Sequence, residues 1–327
     1  MNVLLVGEES VGIQILNALA RSDHRIVAVM ASPAKKSLGS STLWQVAERM
    51  GLLAWPAALV KDPAFAWWIR EAEVDIILNV HSLFVMHGEV VEAPRIGSFN
   101  LHPGPLPRYA GLNVVSWAIY RGERTHGVTV HKMTAGIDTG PIVYQSMFDI
   151  EEADTALTLY AKCAKQGAPL LLRLLDTAGR DENAIPLLQQ DLTQRRYFGK
   201  EAPENGCVNW SRPAREVVSL ARACDYYPFP SPWGSPRARL GGAEIGVVKA
   251  RLTGELCDAE PGTVRRLPGP AVQVACADEW IWVDKTLIEG KYLPAADILQ
   301  SGARLGNGVG AARFPIHIIV NRHKSEK

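Results

Sequence analysis

The stretch NVLLVG at residues 2–7 is an apolar run that ends in glycine, and an amphipathic stretch from Val11 to Leu19 follows it. This order predicts a strand, a turn and a helix. Similar apolar runs recur further along the chain: RIVAVMAS at 25–32, VDIILNV at 74–80 and IGSFNL at 96–101. Near-continuous apolar strands that alternate with helices are typical of a parallel sheet covered on both faces. We therefore expect an α/β fold with a doubly wound, mostly parallel sheet.

Length and composition bound the class of protein. A chain of 327 residues, 47% hydrophobic and 21% charged, is long enough for two folded domains. Its formal net charge of +1 gives no general attraction to DNA or to a membrane surface. The first strand begins at Asn2 without a charged leader, and no run of about 18 apolar residues follows. We therefore expect a cytoplasmic protein with neither DNA nor membrane as its partner.

The five cysteines and the first glycines exclude two common kinds of site. The cysteines are odd in number and form no C-x-x-C pair, which argues against a disulfide framework and against zinc, and we expect no metal. The glycines at the first turn stand in GEESVG, residues 7–12, which lacks the G-x-G-x-x-G spacing of a dinucleotide site.

Periodicity is lost between Asp181 and Gly206, where the sequence becomes polar and carries prolines. We place a first domain at residues 1–185, a linker at 186–205 and a C-terminal domain at 206–327. Several short strand-like runs after residue 243 predict that the C-terminal domain is β-rich, either an OB-like barrel or an open sandwich.

Asn100 and His102 stand at the carboxyl end of a predicted strand, where open α/β sheets bind their ligands. Because they are two residues apart, their side chains face the same side of the sheet. The prolines that follow, in PGPLP at 103–107, prevent the strand from continuing. Asp138 lies in the glycine-flanked loop AGIDTG, residues 135–140. An amide, an imidazole and a carboxylate suit acyl transfer, in which an oxyanion is stabilised and a proton is relayed.

The same residue types also have ordinary structural roles. An asparagine at a strand end often forms a turn, and a lone histidine is commonly a satisfied core or surface residue. His81, His126 and His131 are alternatives to His102, although the alternation around His131 suits an ordinary strand position. Composition and spacing alone leave these alternatives open.

Four elements between residues 97 and 143 resemble the signature of formyltransferases that use N10-formyltetrahydrofolate. The elements are N-x-H at Asn100 to His102, the proline loop Pro103 to Pro107, G-V-T at Gly127 to Thr129, and D-x-G at Asp138 to Gly140. This family includes methionyl-tRNA formyltransferase, glycinamide ribonucleotide transformylase and the sugar amine formyltransferases. The resemblance implies a Rossmann-like catalytic domain, and it extends more weakly from residue 1 to about residue 180.

The resemblance implies that Asn100, His102 and Asp138 are the catalytic residues. An unprotonated amine would attack the formyl carbon while Asn100 and protonated His102 stabilise the oxyanion. Asp138 would keep the imidazole charged and help to move a proton toward N10 of the carrier. This direct transfer requires neither a covalent enzyme intermediate nor a metal.

The resemblance also implies where the pterin end of the carrier binds. One segment follows the VDIILNV strand and comprises Ser82, Leu83, Phe84, Val85 and Met86; the other comprises Thr134, Ala135, Gly136, Ile137 and Asp138. A flat ligand rich in donors and acceptors needs apolar walls and free backbone groups. The first segment is equally suited to a buried loop that helps to close the core.

The acceptor is indicated by departures from the methionyl-tRNA enzymes. Those enzymes resemble one another in a basic, glycine-rich insertion after the second strand and in a loop ending S-L-L-P. Here the insertion reads SPAKKSLGSS at 32–41, with only Lys35 and Lys36, and the loop ends GPLP. GLNVVSWAI at 111–119 and YYPFPSPWG at 226–234 look closer to formyltransferases of peptide and siderophore assembly. We therefore expect a small or carrier-tethered primary amine, bound near Tyr109, Asn113 and Trp117.

Three alternatives remain open. A methionyl-tRNA formyltransferase would need a basic C-terminal half, but residues 205–327 carry only 16 Lys and Arg against 12 Asp and Glu. A formyltetrahydrofolate hydrolase would use water in place of the amine. A non-catalytic folate-binding protein would not need the intact set of Asn100, His102 and Asp138. The oligomeric state does not follow from these patterns, and a homodimer is one possibility.

Overall fold

The computed structural model describes residues 1–33, 41–82 and 84–308. Lys35 and Lys36 of the SPAKKSLGSS segment and Leu83 of the expected carrier pocket lie outside these ranges. The chain divides into two compact units. The first unit contains Met1–Val115, Arg124–Ile150 and Leu159–Gly199, and the second contains Ser116–Glu123, Glu151–Thr158 and the chain from Lys200 onward.

The first unit is built on apolar strands. They are, in chain order, β1 (Asn2–Gly7), β2 (Arg25–Ala31), β3 (Ala54–Pro56), β4 (Ile76–Val80), β5 (Gly97–His102), β6 (Ala110–Gly111), β7 (Thr125–Lys132), β8 (Ile142–Asp149) and β9 (Tyr197–Phe198). Among the described residues, seven of these strands form one sheet in the order β3-β2-β1-β4-β5-β7-β8. β1 to β5 pair in parallel, and β7 and β8 are antiparallel to their neighbours. The expected mostly parallel α/β sheet is confirmed.

Helices follow the strands, as the alternating sequence pattern predicts. They are α1 (Glu9–Leu19), α2 (Leu43–Arg49), α3 (Phe65–Glu71), α4 (Gly88–Glu92), α5 (Val114–Tyr120) and α6 (Ala156–Arg180). The inner residues of β1 and β4 are fully buried, because helices cover both faces of a parallel sheet. β5 crosses this buried region and ends at His102, so the rigid core positions the residues at its carboxyl end.

The second unit is dominated by an antiparallel sheet. Its strands are β10 (Arg237–Leu240), β11 (Ala243–Leu256), β12 (Val264–Arg266), β13 (Val272–Ala275), β14 (Glu279–Ile288), β15 (Lys291–Pro294) and β16 (Leu305–Asn307), with helices α7 (Ala214–Cys224) and α8 (Ala295–Ile298). The sheet order over the described residues is β12-β13-β14-β11-β10-β16, and β15 pairs with β14. The buried face of α7 joins this unit's core. The expected β-rich C-terminal domain is therefore present.

Part of the expected linker is packed in the first unit. Leu188 forms a β-bridge with Ile142, and β9 pairs in parallel with β6. Backbone pairing of this kind requires fixed partners, so residues 188–198 are not a free connection. The chain passes to the second unit at Lys200, within the segment where we placed the linker. These residues pair with the sheet domain at its surface, so their side chains are mostly polar. A polar segment of this kind resembles a linker in the sequence.

The helices in the described ranges include none long and apolar enough to cross a lipid bilayer.

Candidate active site

Asn100 and His102 lie at the carboxyl end of β5 on one face of the sheet. Asn100 is paired with Asn79 of β4 on one side and with His131 of β7 on the other. The Asn79 side-chain amide donates to Asn100 Oδ1 at 2.9 Å, which fixes the orientation of the Asn100 amide. Its Nδ2 therefore faces away from β4, toward β7.

The proline loop after His102 is held by β7 and β8. Thr129 Oγ1 donates to the Gly104 carbonyl at 2.7 Å and accepts from the Leu106 N–H at 3.2 Å. Gln145 Nε2 donates to the Leu106 carbonyl at 3.0 Å. Because prolines cannot supply donors to a sheet, side chains of the neighbouring strands satisfy the loop instead. The threonine of the G-V-T element thus fixes the chain that leaves His102.

His102 is only 4% exposed, and each of its ring nitrogens faces an acceptor. Nε2 lies 2.6 Å from the Tyr109 carbonyl oxygen, which can only accept, so Nε2 carries a proton. Nδ1 lies 3.6 Å from Asp138 Oδ2, beyond hydrogen-bonding distance. Burial lowers the pKa of His102 below its ordinary value, and the Asp138 carboxylate and the Tyr109 carbonyl offset only part of that effect. The charge on this imidazole therefore depends on Asp138.

Asp138 is the buried residue of an otherwise exposed loop. Its backbone has a φ of 54°, in the left-handed region, and this turns its side chain inward. The Gly111 N–H donates to its Oδ2 at 2.8 Å. Burial alone would raise the pKa of the Asp138 carboxyl, but His102, His131 and the Gly111 N–H outweigh it and hold that pKa far below its usual range. Asp138 is therefore a buried carboxylate at every ordinary pH.

His131, one of the alternatives to His102 in the sequence, completes the cluster from a position in the regular strand β7. Its Nδ1 donates to the Lys132 carbonyl at 3.1 Å, and its Nε2 lies 3.1 Å from Asn100 Nδ2. The same Nε2 lies 3.4 Å from Asp138 Oδ1. His131 therefore links Asn100 to Asp138. Strand register would have found it, since His131 is the direct cross-strand partner of Asn100.

Gly111 is the second residue that sequence reasoning missed. Its φ is 93°, and a Cβ at this position would lie 2.2 Å from the Phe198 carbonyl oxygen. Only glycine fits here and still aims its N–H at Asp138. The requirement depends on the pairing of β6 with β9, a contact between residues about 87 positions apart that no local pattern reveals.

The arrangement leaves one N–H group for a third molecule, and a second one when His102 is protonated. One Nδ2 hydrogen of Asn100 goes to His131, and the other has no acceptor among the described residues. When His102 is protonated, its Nδ1 carries a hydrogen. Asp138 Oδ2 lies 3.6 Å from Nδ1, too far to accept a normal hydrogen bond from it. Two such donors at one strand end can bind the oxyanion of an acyl-transfer reaction.

The residues expected to hold the carrier flank this edge of the sheet. After β4, Ser82 and Phe84 are partly buried, Val85 is 69% exposed and Met86 is buried. In the second loop, Thr134, Ala135, Gly136 and Ile137 are exposed, and only Asp138 turns inward. The Phe84 ring lies under Lys61 Nζ at 4.7 Å from its centroid. The two loops thus present apolar side chains and backbone to solvent next to a buried carboxylate.

The residues expected to contact the acceptor differ in their surroundings. The ring of Tyr109 is buried and stacks on Phe198 at 5.1 Å, so Tyr109 presents its carbonyl to His102 rather than an aromatic wall. Asn113 is partly buried, with a φ of 54°. Trp117 belongs to the second unit, where it packs edge-on against Trp233.

The rival histidines are buried neutral groups. His81 follows β4 and contacts the Tyr160 hydroxyl, and burial together with the charge of His102 lowers its pKa to about 3. His126 Nε2 donates to the Pro103 carbonyl at 2.9 Å, and burial lowers its pKa to about 4. Both rings are therefore uncharged near neutral pH, and neither contacts the Asp138 carboxylate in the way that His102 does.

Comparison with solved structures shows a shared fold. HypX from Aquifex aeolicus, solved with tetrahydrofolic acid, is 20% identical with a TM-score of 0.65; the match covers 90% of this chain and 46% of HypX. WlaRD, a sugar 3N-formyltransferase solved with dTDP and 5-N-formyl-THF, is 18% identical with a TM-score of 0.65, over 86% and 96% of the two chains. An N-formyltransferase from Helicobacter canadensis, bound to folinic acid and dTDP-3-aminofucose, is 19% identical with a TM-score of 0.64, over 86% and 98%. This chain thus spans slightly less than half the length of HypX.

Family models match both parts of the sequence. The formyl transferase model matches residues 1–175, which include the cluster around His102. The model of the formyl transferase C-terminal domain matches residues 200–302, which hold the antiparallel sheet. Together they cover most of the chain in the expected order. The protein therefore belongs to the formyl transferase family of one-carbon transferases.

Proposed function

We propose that the protein is an N-formyltransferase that moves the formyl group of N10-formyltetrahydrofolate to the primary amine of a small or carrier-bound acceptor. The observation that carries this proposal is the cluster of Asn100, His102 and Asp138, which offers an uncommitted Asn100 N–H, and a second N–H on protonated His102, beside a buried carboxylate. In a chain of this family, such a cluster suits stabilisation of a formyl oxyanion.

Asn100 and His102 have the donor role in this proposal. Asn100 donates its second Nδ2 hydrogen to the formyl oxygen, and its amide is already oriented by Asn79 and His131. His102 donates from Nδ1, the nitrogen next to Asp138. Because both donors are fixed before the substrate binds, they stabilise the negative oxygen without reorganisation.

Asp138 stabilises the protonated form of His102 while a proton passes from the amine to N10. The carrier supplies the formyl group, and transfer exchanges its bond to N10 for a bond to the acceptor nitrogen while one proton passes from the amine to N10. Asp138 stabilises the imidazolium form of His102, which otherwise loses its charge through burial. The Gly111 N–H holds the carboxylate in place for this exchange, and His131 Nε2 lies 3.4 Å from its other oxygen.

The loops beside β4 and around Asp138 are the proposed carrier pocket. Phe84 and Val85 provide apolar surface beside the buried Met86, and the exposed backbone from Thr134 to Ile137 provides donors and acceptors for a pterin. Ser82 and Leu83 complete the proposed set, with Leu83 outside the described residues. Support comes from the structurally similar proteins, which were solved with tetrahydrofolic acid, 5-N-formyl-THF or folinic acid.

The acceptor is proposed to be a small or tethered amine rather than methionyl-tRNA. The Helicobacter canadensis enzyme binds a dTDP-linked amino sugar, which is a small primary amine. The small basic excess of residues 205–327 gives little attraction for RNA phosphates. Asn113 and Trp117 are the proposed acceptor contacts, and Tyr109 acts through its carbonyl on His102.

The second unit is proposed to shape acceptor entry or dimer contacts. We propose that this unit is an OB-like domain, supported by its antiparallel sheet, and that the protein is cytoplasmic, with a homodimer as one possibility.

The test is turnover of N10-formyltetrahydrofolate with and without a panel of amines, including amino sugars, amino acids and methionyl-tRNA. We expect tetrahydrofolate to form only when an amine is present, together with an equal amount of N-formyl product. His102→Ala should remove this activity. Release of formate without any amine would instead identify a hydrolase, and carrier binding without turnover would identify a non-catalytic folate-binding protein.

A further inference from the structure

The side chain of Gln190 hydrogen-bonds to the backbone of the loop that carries Asp138. Its side-chain Nε2 donates to the Asp138 carbonyl at 3.0 Å and to the Gly140 carbonyl at 2.6 Å. Because carbonyl oxygens only accept, both contacts require the nitrogen and fix the orientation of the amide. One side chain therefore uses both of its donor hydrogens to hold the two carbonyls that bracket Thr139.

The loop needs such a restraint because its conformation is unfavourable. Asp138 has a φ of 54°, in the left-handed region that residues other than glycine rarely adopt. Residues 134–137 are exposed and give the loop little packing. On the far side, Gly140 lies so close to β7 that a Cβ there would be 1.8 Å from the Lys132 carbonyl oxygen. The backbone is therefore anchored at Gly140, and Gln190 ties Asp138 to that anchor.

A second side chain of the same segment, Arg195, also hydrogen-bonds to the backbone of this loop. Arg195 Nη2 donates to the Ile137 carbonyl at 3.0 Å. A few residues later, β9 pairs with the strand that contains Gly111, the donor to the Asp138 carboxylate. Residues 188–198 thus act on Asp138 in two ways. Gln190 binds its backbone carbonyl, and β9 pairs with the strand of Gly111, which binds its side chain.

We propose that Gln190 is a positioning residue for the reaction, which acts by setting the distance between Asp138 and His102. This inference rests on the proposed function. The carboxylate lies 3.6 Å from His102 Nδ1, so release of the Asp138 backbone increases that distance and weakens the imidazolium. Residues 188–198 are then part of the catalytic unit, and a displacement of about 1 Å in such a group can cost a hundredfold in rate.

The experiment compares Gln190→Met with Gln189→Met in the full chain. The two substitutions are identical in chemistry and adjacent in sequence, but Gln189 is exposed. Three quantities are measured for each: kcat and KM of formyl transfer, the pH dependence of kcat, and hydrogen exchange of the amides from 134 to 140. Gln190→Glu serves as a second variant, since it keeps the size of the side chain and removes both donors.

We expect kcat of Gln190→Met to fall about tenfold to a hundredfold, with KM for the carrier changed less than threefold. The pKa of His102 falls when Asp138 moves away, so the limb of the pH profile that reports protonated His102 should move to lower pH. The loop amides should exchange faster in Gln190→Met and Gln190→Glu, and Gln189→Met should match the wild type.

Two results separate the possible failures. If the wild type transfers no formyl group, the proposed function is wrong. The exchange data still test whether the hydrogen bonds of Gln190 restrain the loop. If the wild type is active and both Gln190 variants match Gln189→Met in kcat, pH profile and loop exchange, the inference about Gln190 is overturned.

Discussion

Replacement of Asp138 by asparagine removes one charge from the site and almost no volume. The carboxylate lies 3.6 Å from His102 Nδ1, and the two side chains are only 9% and 4% exposed. At an effective dielectric constant of about 20, two unit charges at this separation interact by about 4.6 kcal/mol. Loss of about 60% of that energy in the transition state, about 2.7 kcal/mol, slows the reaction about a hundredfold.

We therefore expect Asp138→Asn to lower kcat at least about a hundredfold. The carboxylate opposes the effect of burial on the pKa of His102, so without it this pKa falls. The pH at which activity is lost through deprotonation of His102 should accordingly move to a lower value. Initial rates at saturating carrier and amine, measured from about pH 5 to pH 9, give both quantities.

Asp176→Asn, at an exposed position of α6, is the matched control and should behave as the wild type. Circular dichroism and thermal unfolding establish that both variants are folded. A folded Asp138→Asn enzyme with more than a third of the wild-type kcat and an unshifted pH profile would refute the role that we give to this carboxylate.

Further predictions concern the oxyanion donor, acid stability and the acceptor. Asn100→Asp should lower kcat about a hundredfold to a thousandfold, because it replaces a donor with a negative charge; a folded variant of near-normal rate in the same assay would contradict this. In the folded protein the pKa of His81 is about 3 and that of His126 is about 4. Below the usual histidine pKa of 6.5, the unfolded chain therefore binds more protons than the folded one. The free energy of unfolding should therefore fall as pH drops from about 6.5 to 4, by up to about 1.4 kcal/mol per pH unit for each histidine. Urea titrations measure this slope, which should be shallower in His126→Gln, and equal slopes would count against it. Transfer to a small amine should tolerate salt, whereas efficient formylation of methionyl-tRNA that weakens steeply as salt rises would reverse our assignment of the acceptor.

Much of the first unit follows from local sequence patterns. The apolar runs that begin at Asn2, Arg25, Val74 and Ile96 all contain strands of the parallel sheet. Buried parallel strands are apolar along their whole length, so their composition identifies them without knowledge of their neighbours. The positions of Asn100 and His102 at a strand end follow from the same pattern and from the prolines after them.

The rest of the site depends on contacts that are distant in the chain. His131 reads as one residue of an alternating strand, and only the register of β7 against β5 places it beside Asn100. Gly111 and Gln190 both contact Asp138, from positions 27 residues before it and 52 residues after it. Residues 188–198 look like a linker because their composition is polar, yet their backbone and side chains complete the loop around Asp138. Local periodicity carries no information about such pairings.

The most direct test is a crystal structure of the protein with 5-formyltetrahydrofolate, a stable analogue of the formyl donor. We predict that the pterin lies between the Phe84 segment and the Asp138 loop. The formyl group should face Asn100 Nδ2 and His102 Nδ1, with its oxygen about 2.7 to 3.2 Å from at least one of these nitrogens. A complex in which the formyl group lies away from both side chains, or in which the pterin binds outside the carboxyl edge of the parallel sheet, would contradict the proposed site.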